Sequence, residues 1–120
     1  MPGGSKYEGP PESLEAYRLV VEASGSGTEV KGAKNPYTSR NGHMFSFLDA
    51  EGVMALRLSD ELTEEFRSSY ESRDVIQYGA TMRGYSSVHA ELLADAETLA
   101  VWFDRSWDWI GTLPPKPTKK

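Results

Sequence analysis

The sequence contains no cysteine among its 120 residues. This absence excludes a disulfide framework, a thiolate zinc site, an iron–sulfur cluster and a cysteine nucleophile, and it is typical of a reducing compartment. Histidine is scarce as well: His43 and His89 are the two in the sequence, and no H-x-x-x-H or H-E-x-x-H pairing joins them. Because a metal needs three or four ligands at suitable spacing, we expect neither a metal centre nor a cofactor.

Long apolar runs and an excess of basic charge are also missing. No segment approaches the roughly 18 apolar residues that a membrane span requires, and the opening MPGGSKYEG lacks the apolar region of a signal peptide. We therefore expect a cytoplasmic protein with no membrane contact. Lys and Arg number 13 against 18 Asp and Glu, a net charge of -5. This balance disfavours a dedicated nucleic-acid binder, although it allows a local basic patch.

The residues that are present favour one folded domain. The chain is 38% hydrophobic and 26% charged, within the range of globular proteins, and its length suits a single domain. Residues 1–11, rich in Gly and Pro, are predicted to form a flexible leader. Residues 12–113 form the domain, and residues 114–120 (PPKPTKK) form a polar tail.

Three segments have helical periodicity. The first covers 12–24, with Ser13 as the expected N-cap and Gly25 as the expected C-cap glycine. The second covers 59–70, where Ser-Asp-Glu opens an acidic first turn. The third covers 95–111, and its apolar and aromatic residues share one broad face.

The remaining segments favour strands. In the predicted strand 42–48, Phe45 and Phe47 are expected on one face, and in 53–58 Met54, Leu56 and Leu58 share a face. The predicted strands are 28–33, 42–48, 53–58, 75–78 and 81–89, with a four-residue turn joining the second and third. The order α-β-β-β-α-β(β)-α predicts an α+β domain with an antiparallel sheet.

Three stretches carry a resemblance to a known family. NGHMFSFLDAEGVMALRLSDELTEEF, followed by YSSVH and ELLADAETLAVWFDRSWDWI, resembles the TfoX N-terminal domain across about residues 28–115. The chain departs from that family in the segment KNPYTSRNGH at the entry to the hairpin and in SSVHAEL at the end of the late strand. The resemblance implies a secretion-chaperone-like α+β fold and similarity to stand-alone members without the C-terminal TfoX domain. The family takes its name from competence regulators, so a regulatory module is one hypothesis. The motifs of the resemblance are structural ones, and they do not give the biochemical role of the stand-alone members.

Catalytic patterns are weak. Ser24 and Ser26 lie in a Gly-Ser connection after a helix, whereas a nucleophile elbow follows a strand. Asp104 and Asp108 are spaced four residues apart, on the polar side of the last helix, where a solvated face is the simpler interpretation. We therefore predict that the protein is not an enzyme.

Two groups of residues are candidate binding sites. Trp107 and Trp109 spread over a wide arc of the last helix, so one of them can remain exposed; together with Tyr85 they are candidate contacts for a protein partner. The segment 31–43 contains Lys31, Lys34 and Arg40 and no acidic residue. It is predicted to be a loop, either solvated or contacting phosphate, and Lys116, Lys119 and Lys120 in the tail can add to such a patch.

These patterns leave three hypotheses open. The first is a non-enzymatic interaction or regulatory module that binds a protein partner or its own copy. The second is a weak nucleic-acid binder that uses the basic 31–43 segment. The third is a small-ligand site or an unrecognised enzyme in a cleft beside the predicted hairpin.

Overall fold

The computed structural model describes residues 7–115, which form one antiparallel sheet with helices packed against it. The elements in chain order are α1 (Pro11–Ala23), β1 (Tyr37–Arg40), β2 (His43–Leu48), β3 (Met54–Arg57), α2 (Asp60–Ser69), β4 (Asp74–Gln77), β5 (Ala80–Val88), α3 (Ala90–Leu93) and α4 (Ala96–Ile110). The strands lie in the order β1-β2-β3-β5-β4. The predicted α+β class with an antiparallel sheet is confirmed.

Two of the three predicted helix starts are correct, because local side-chain caps determine them. Ser59 accepts a hydrogen bond from the Leu62 amide at the start of α2, and Asp95 accepts one from the Thr98 amide at the start of α4. The predicted cap of α1 is wrong. That helix begins at Pro11, whose ring suits the first helical position, and Ser13 lies inside its first turn.

The predicted strand 28–33 is wrong, and the true first strand lies in the segment predicted to be a loop. Lys31 alone forms a bridge, with Tyr37, because Gly32 (φ +82°) turns the chain back immediately after it. β1 then pairs with β2 through a tight turn in which Asn41 and Gly42 both have positive φ, 54° and 84°. Asn-Gly is the preferred pair for such a hairpin.

A bulge in β2 overturns the expected alternation of its side chains. Thr38 pairs with Ser46 and Ser39 with Met44, so Phe45 is the extra residue on β2. Phe45 therefore packs with the helices, 5.0 Å between ring centroids from Phe103, whereas Phe47 packs on the opposite face. The prediction that Phe45 and Phe47 share a face is wrong for this reason.

The main core lies between the sheet and the helices. Met54, Leu56 and Leu58 point into it from β3 and the segment after it, as predicted. α4 contributes Leu99, Trp102, Phe103 and Ile110 from its apolar face. The core also buries three hydroxyls: Ser46 Oγ lies 2.6 Å from Tyr17 Oη and is hydrogen bonded to Thr38 Oγ1.

A smaller cluster occupies the other face of the sheet. It consists of Phe47, Ala55, Val75 and Tyr85. Tyr85 pairs with Arg57 of β3, and its hydroxyl reaches across that strand to donate to the Met44 carbonyl of β2. Tyr85 thereby connects β5 to β2 across this face.

Candidate functional site

The aromatic end of α4 is held in place by an arginine from β1. The Arg40 guanidinium lies 4.3 Å from the centroid of the Trp107 ring, and its Nη1 donates to the Trp107 carbonyl at 2.7 Å. The Trp107 ring lies 5.8 Å from the Phe45 ring. A cation at the carboxyl end of a helix is stabilised by the helix dipole as well as by the indole. Arg40 therefore anchors α4 to the sheet.

A second arginine–tryptophan contact lies near the start of α2. The Arg57 guanidinium carbon lies 5.5 Å from the centroid of the Trp109 ring. Arg57, Arg83 and Trp109 line one open cleft of about 440 Å³, which we call the Arg57–Arg83 cleft. The cleft is completed by Leu58, Ser59, Asp60 and Gly84.

The backbone of β5 brings Arg83 beside Arg57, the last residue of β3. Gly84 has φ +87°, a conformation that other residues rarely adopt, and its carbonyl accepts from the Leu58 amide at 2.9 Å. Arg57 pairs with Tyr85, one residue beyond this glycine. As a result, Arg83 lies beside the end of β3, where the chain turns into α2.

Two arginines outside this cleft have carboxylate partners. Arg105 forms a two-bond pair with Glu65, at 2.8 and 2.9 Å, which lowers the pKa of the Glu65 carboxyl and raises the pKa of the Arg105 guanidinium. Arg67 pairs with Asp74 at 3.1 Å. Among residues 7–115, neither Arg57 nor Arg83 has a carboxylate oxygen within 4.0 Å.

The Arg57–Arg83 cleft therefore offers two guanidiniums to an anion. The first turn of α2 lies at the same place, and the amides of a helix start also favour negative charge. The same turn carries two carboxylates that oppose an anion, Asp60 in the cleft and Glu61 beside it. Carboxylates and phosphates are the groups that a guanidinium fork binds with two hydrogen bonds.

The other predicted contacts lie elsewhere. Tyr85 is 9% exposed and its hydroxyl is bonded to the main chain, so its ring is not a surface group. Lys31 donates to Ser39 Oγ at 3.4 Å, and Lys34 is exposed in the turn before β1. Among the predicted residues, Arg40 contacts Trp107. Trp109 lines the cleft with Arg57 and Arg83, which the sequence did not predict as site residues. The tail lysines Lys116, Lys119 and Lys120 lie outside the described residues.

One signal for the missed arginines was present in the sequence. The alternation of β3 places Arg57 opposite to Met54, Leu56 and Leu58, which marks it as a residue outside the main core. Arg83 has no such signal. It lies in an irregularity of β5 at residues 83–85, between Met82, which pairs with Val75, and Ser86, which pairs with Asp74.

The two histidines are separated. His43 is the first residue of β2 and His89 follows β5, and β3 lies between these two strands. His43 Nε2 lies 2.8 Å from the Pro114 carbonyl oxygen, whereas the His89 ring lies 6.2 Å from the Tyr70 ring. Within residues 7–115, no three His, Asp or Glu side chains are grouped as metal ligands.

A wider cleft lies beside the turn between β2 and β3. Its volume is about 580 Å³, its apolar wall includes Phe47, Ala55 and Val75, and Ser87 and His89 line it as well. This size is in the range of small-molecule sites. A small-ligand site at this position therefore stays a prediction.

Compared with known proteins, the chain matches no family model, no curated protein and no solved structure. None of the helices within residues 7–115 has the length and apolar character needed to span a membrane. The resemblance to the TfoX N-terminal domain stays a prediction.

Proposed function

We propose that this protein is a non-enzymatic, cytoplasmic interaction module that docks an acidic segment of a protein partner in the Arg57–Arg83 cleft. One observation carries the proposal: in a chain with five more acidic than basic residues, two arginines share a cleft with Trp109 and have no carboxylate partner among residues 7–115. Arginine and tryptophan are the residues most enriched in the energetic centres of protein interfaces.

An acidic protein segment suits this cleft better than a nucleic acid does. A net charge of -5 repels a polyphosphate at long range, whereas a short acidic segment needs only local complementarity. The basic residues predicted to contact phosphate are dispersed as well: Arg40 is bonded to α4, and Lys31 and Lys34 precede β1.

The regulatory part of the proposal rests on the resemblance to the TfoX N-terminal domain. The α+β class and antiparallel sheet agree with the fold that this resemblance implies. A regulatory module that acts by docking needs a specific surface and no catalytic group, which is consistent with the chemistry of the Arg57–Arg83 cleft.

The experiment is a binding titration by fluorescence anisotropy, with a labelled glutamate-rich peptide and a labelled DNA duplex of equal charge as probes. We expect the peptide to bind at low salt and the duplex to bind more weakly. Arg57→Gln and Arg83→Gln should each reduce peptide affinity roughly fivefold, about 1 kcal/mol for one charged contact.

The matched control is Arg18→Gln, which removes the same charge from an exposed position on α1. It should leave the peptide affinity unchanged. Peptide binding that responds equally to all three substitutions would reflect net charge alone and would refute the proposal. A duplex that binds more tightly than the peptide, and loses affinity in Lys31→Ala or Lys34→Ala, would instead support the nucleic-acid hypothesis.

A further inference from the structure

The two edges of the sheet differ in how well they are protected. The outer edge of β1 is paired at its first residue, where Lys31 exchanges two backbone hydrogen bonds with Tyr37, at 2.8 and 2.9 Å. β4 is the strand at the opposite edge. No strand within residues 7–115 pairs with its outer side.

The hairpin geometry identifies the backbone groups that face outwards from β4. Tyr78 and Gly79 form a two-residue turn, both with positive φ, 53° and 78°, and Gln77 pairs with Ala80. The residues that flank such a turn exchange hydrogen bonds, and the next pair does not. Ile76, paired with Thr81, therefore directs its N–H and C=O away from β5.

Two exposed apolar side chains lie on β4 and its turn. Ile76 is 62% exposed and Tyr78 is 100% exposed. Natural proteins protect open edges with lysine, proline or charged side chains. β4 has one charged residue, Asp74 at its start, and the residues from Val75 to Ala80 contain neither a charge nor a proline. An edge with outward backbone groups and exposed apolar side chains is suited to strand addition.

We propose that β4 pairs antiparallel with β4 of a second copy of this chain, joining the two sheets into one. A two-fold axis at Ile76 lets its N–H donate to the C=O of Ile76 of the second copy, and the reverse bond forms by symmetry. The two isoleucine side chains then cover each other.

The charges at the ends of this pairing favour a second copy as the partner. In this register Asp74, whose carboxylate is paired with Arg67 at 3.1 Å, lies opposite the uncharged Tyr78 of the second copy. The two Asp74 side chains lie at opposite ends of the paired strands, and no like charges meet within the paired strands. The proposal is independent of the acidic partner proposed for the Arg57–Arg83 cleft.

The test is the mass of the intact protein by sedimentation velocity over a wide range of concentration, with hydrogen exchange of the Ile76 amide measured in parallel. We expect the mass of two chains at high concentration, and an Ile76 amide that becomes protected only as the dimer forms. Ile76→Pro removes the outward N–H but no bond within the β4–β5 ladder. It should weaken dimerisation at least about tenfold, because both symmetry-related donors are lost together.

Ile76→Lys should weaken the dimer as well, since it places two like charges opposite each other at the axis. Val101→Lys is the matched control, because it replaces another exposed apolar side chain, 57% exposed on α4, and should leave the dimer intact. Circular dichroism checks that each variant is folded. A chain that stays monomeric at every concentration overturns the proposal. A dimer whose affinity is unchanged in both Ile76→Pro and Ile76→Lys also overturns it, because such a dimer forms through another surface.

Discussion

A substitution at Arg40 tests whether this arginine is an exposed basic residue or one that stabilises the fold. The sequence places it in a basic segment with Lys34, yet its guanidinium lies against the Trp107 ring and donates to the Trp107 carbonyl at 2.7 Å. Arg40→Ala removes both contacts. It also leaves a carbonyl of the last turn of α4 without this donor.

The expected loss of stability follows from these two contacts. A hydrogen bond from a charged donor contributes about 1.5 kcal/mol, and a half-buried cation–π contact contributes about 0.5–1 kcal/mol. Arg40→Ala should therefore lower the free energy of unfolding by about 2 kcal/mol. Arg40→Lys should recover about half, because an ammonium can donate to the carbonyl but cannot stack as a plane.

Urea unfolding, followed by tryptophan fluorescence, measures these differences. Lys34→Ala is the control: the side chain is exposed, so the change should stay within about 0.5 kcal/mol. The free energy of unfolding should fall with urea concentration at the same rate in every variant, because each variant exposes the same surface on unfolding. If Arg40→Ala has the same free energy of unfolding as Lys34→Ala, Arg40 has no structural role and is an ordinary surface cation.

Two other predictions concern stability. Burial raises the pKa of Tyr17 and of Tyr85, so the stability that each contributes is complete below about pH 10 and is lost as the pH rises further, by about 1.4 kcal/mol per pH unit per tyrosine. In Tyr17→Phe the free energy of unfolding should therefore fall less steeply with pH in the alkaline range. A pH dependence unchanged by that substitution would contradict the burial argument. Gly52 and Gly27 both have positive φ, 88° and 74°, but an added Cβ at Gly52 would lie 2.5 Å from Ser13 Oγ, whereas nothing lies within 4 Å at Gly27. Gly52→Ala should therefore destabilise by at least about 1 kcal/mol more than Gly27→Ala in thermal unfolding, and equal losses would show that α1 does not pack closely on this turn.

Local patterns were sufficient for the elements whose signals lie within one segment. The β2–β3 hairpin and the apolar face of α4 follow from alternation and helical periodicity, and they are found where the sequence predicts them. The caps Ser59 and Asp95 also need only their own first turn. These interactions are short-range in the sequence.

The errors occur where pairing between distant segments decides the structure. β1 has a weak strand pattern, and it forms because the Asn41–Gly42 turn folds it onto β2. The bulge at Phe45 depends on the register of that pairing, so alternation alone assigns Phe45 to the wrong face. α3 was missed because four residues are too few for a periodic signal.

The candidate site shows the same limit. Trp109 was recognised from the wide arc of aromatic residues on α4, but its neighbours were not. Arg57 and Arg83 reach it from two strands that pair only in the folded sheet. Arg40 was chosen for its charge, and the fold uses that charge to hold α4.

The central claim is that the Arg57–Arg83 cleft binds an acidic segment, and the three indole N–H resonances test it directly. Trp102 is buried in the core, Trp107 is covered by Arg40, and Trp109 lines the cleft. In a two-dimensional NMR titration with the glutamate-rich peptide at low salt, we predict that the Trp109 indole resonance shifts and that this shift saturates with peptide concentration. The resonances of Trp102 and Trp107 should stay in place. Three unchanged resonances, or a shift confined to Trp107, would contradict it.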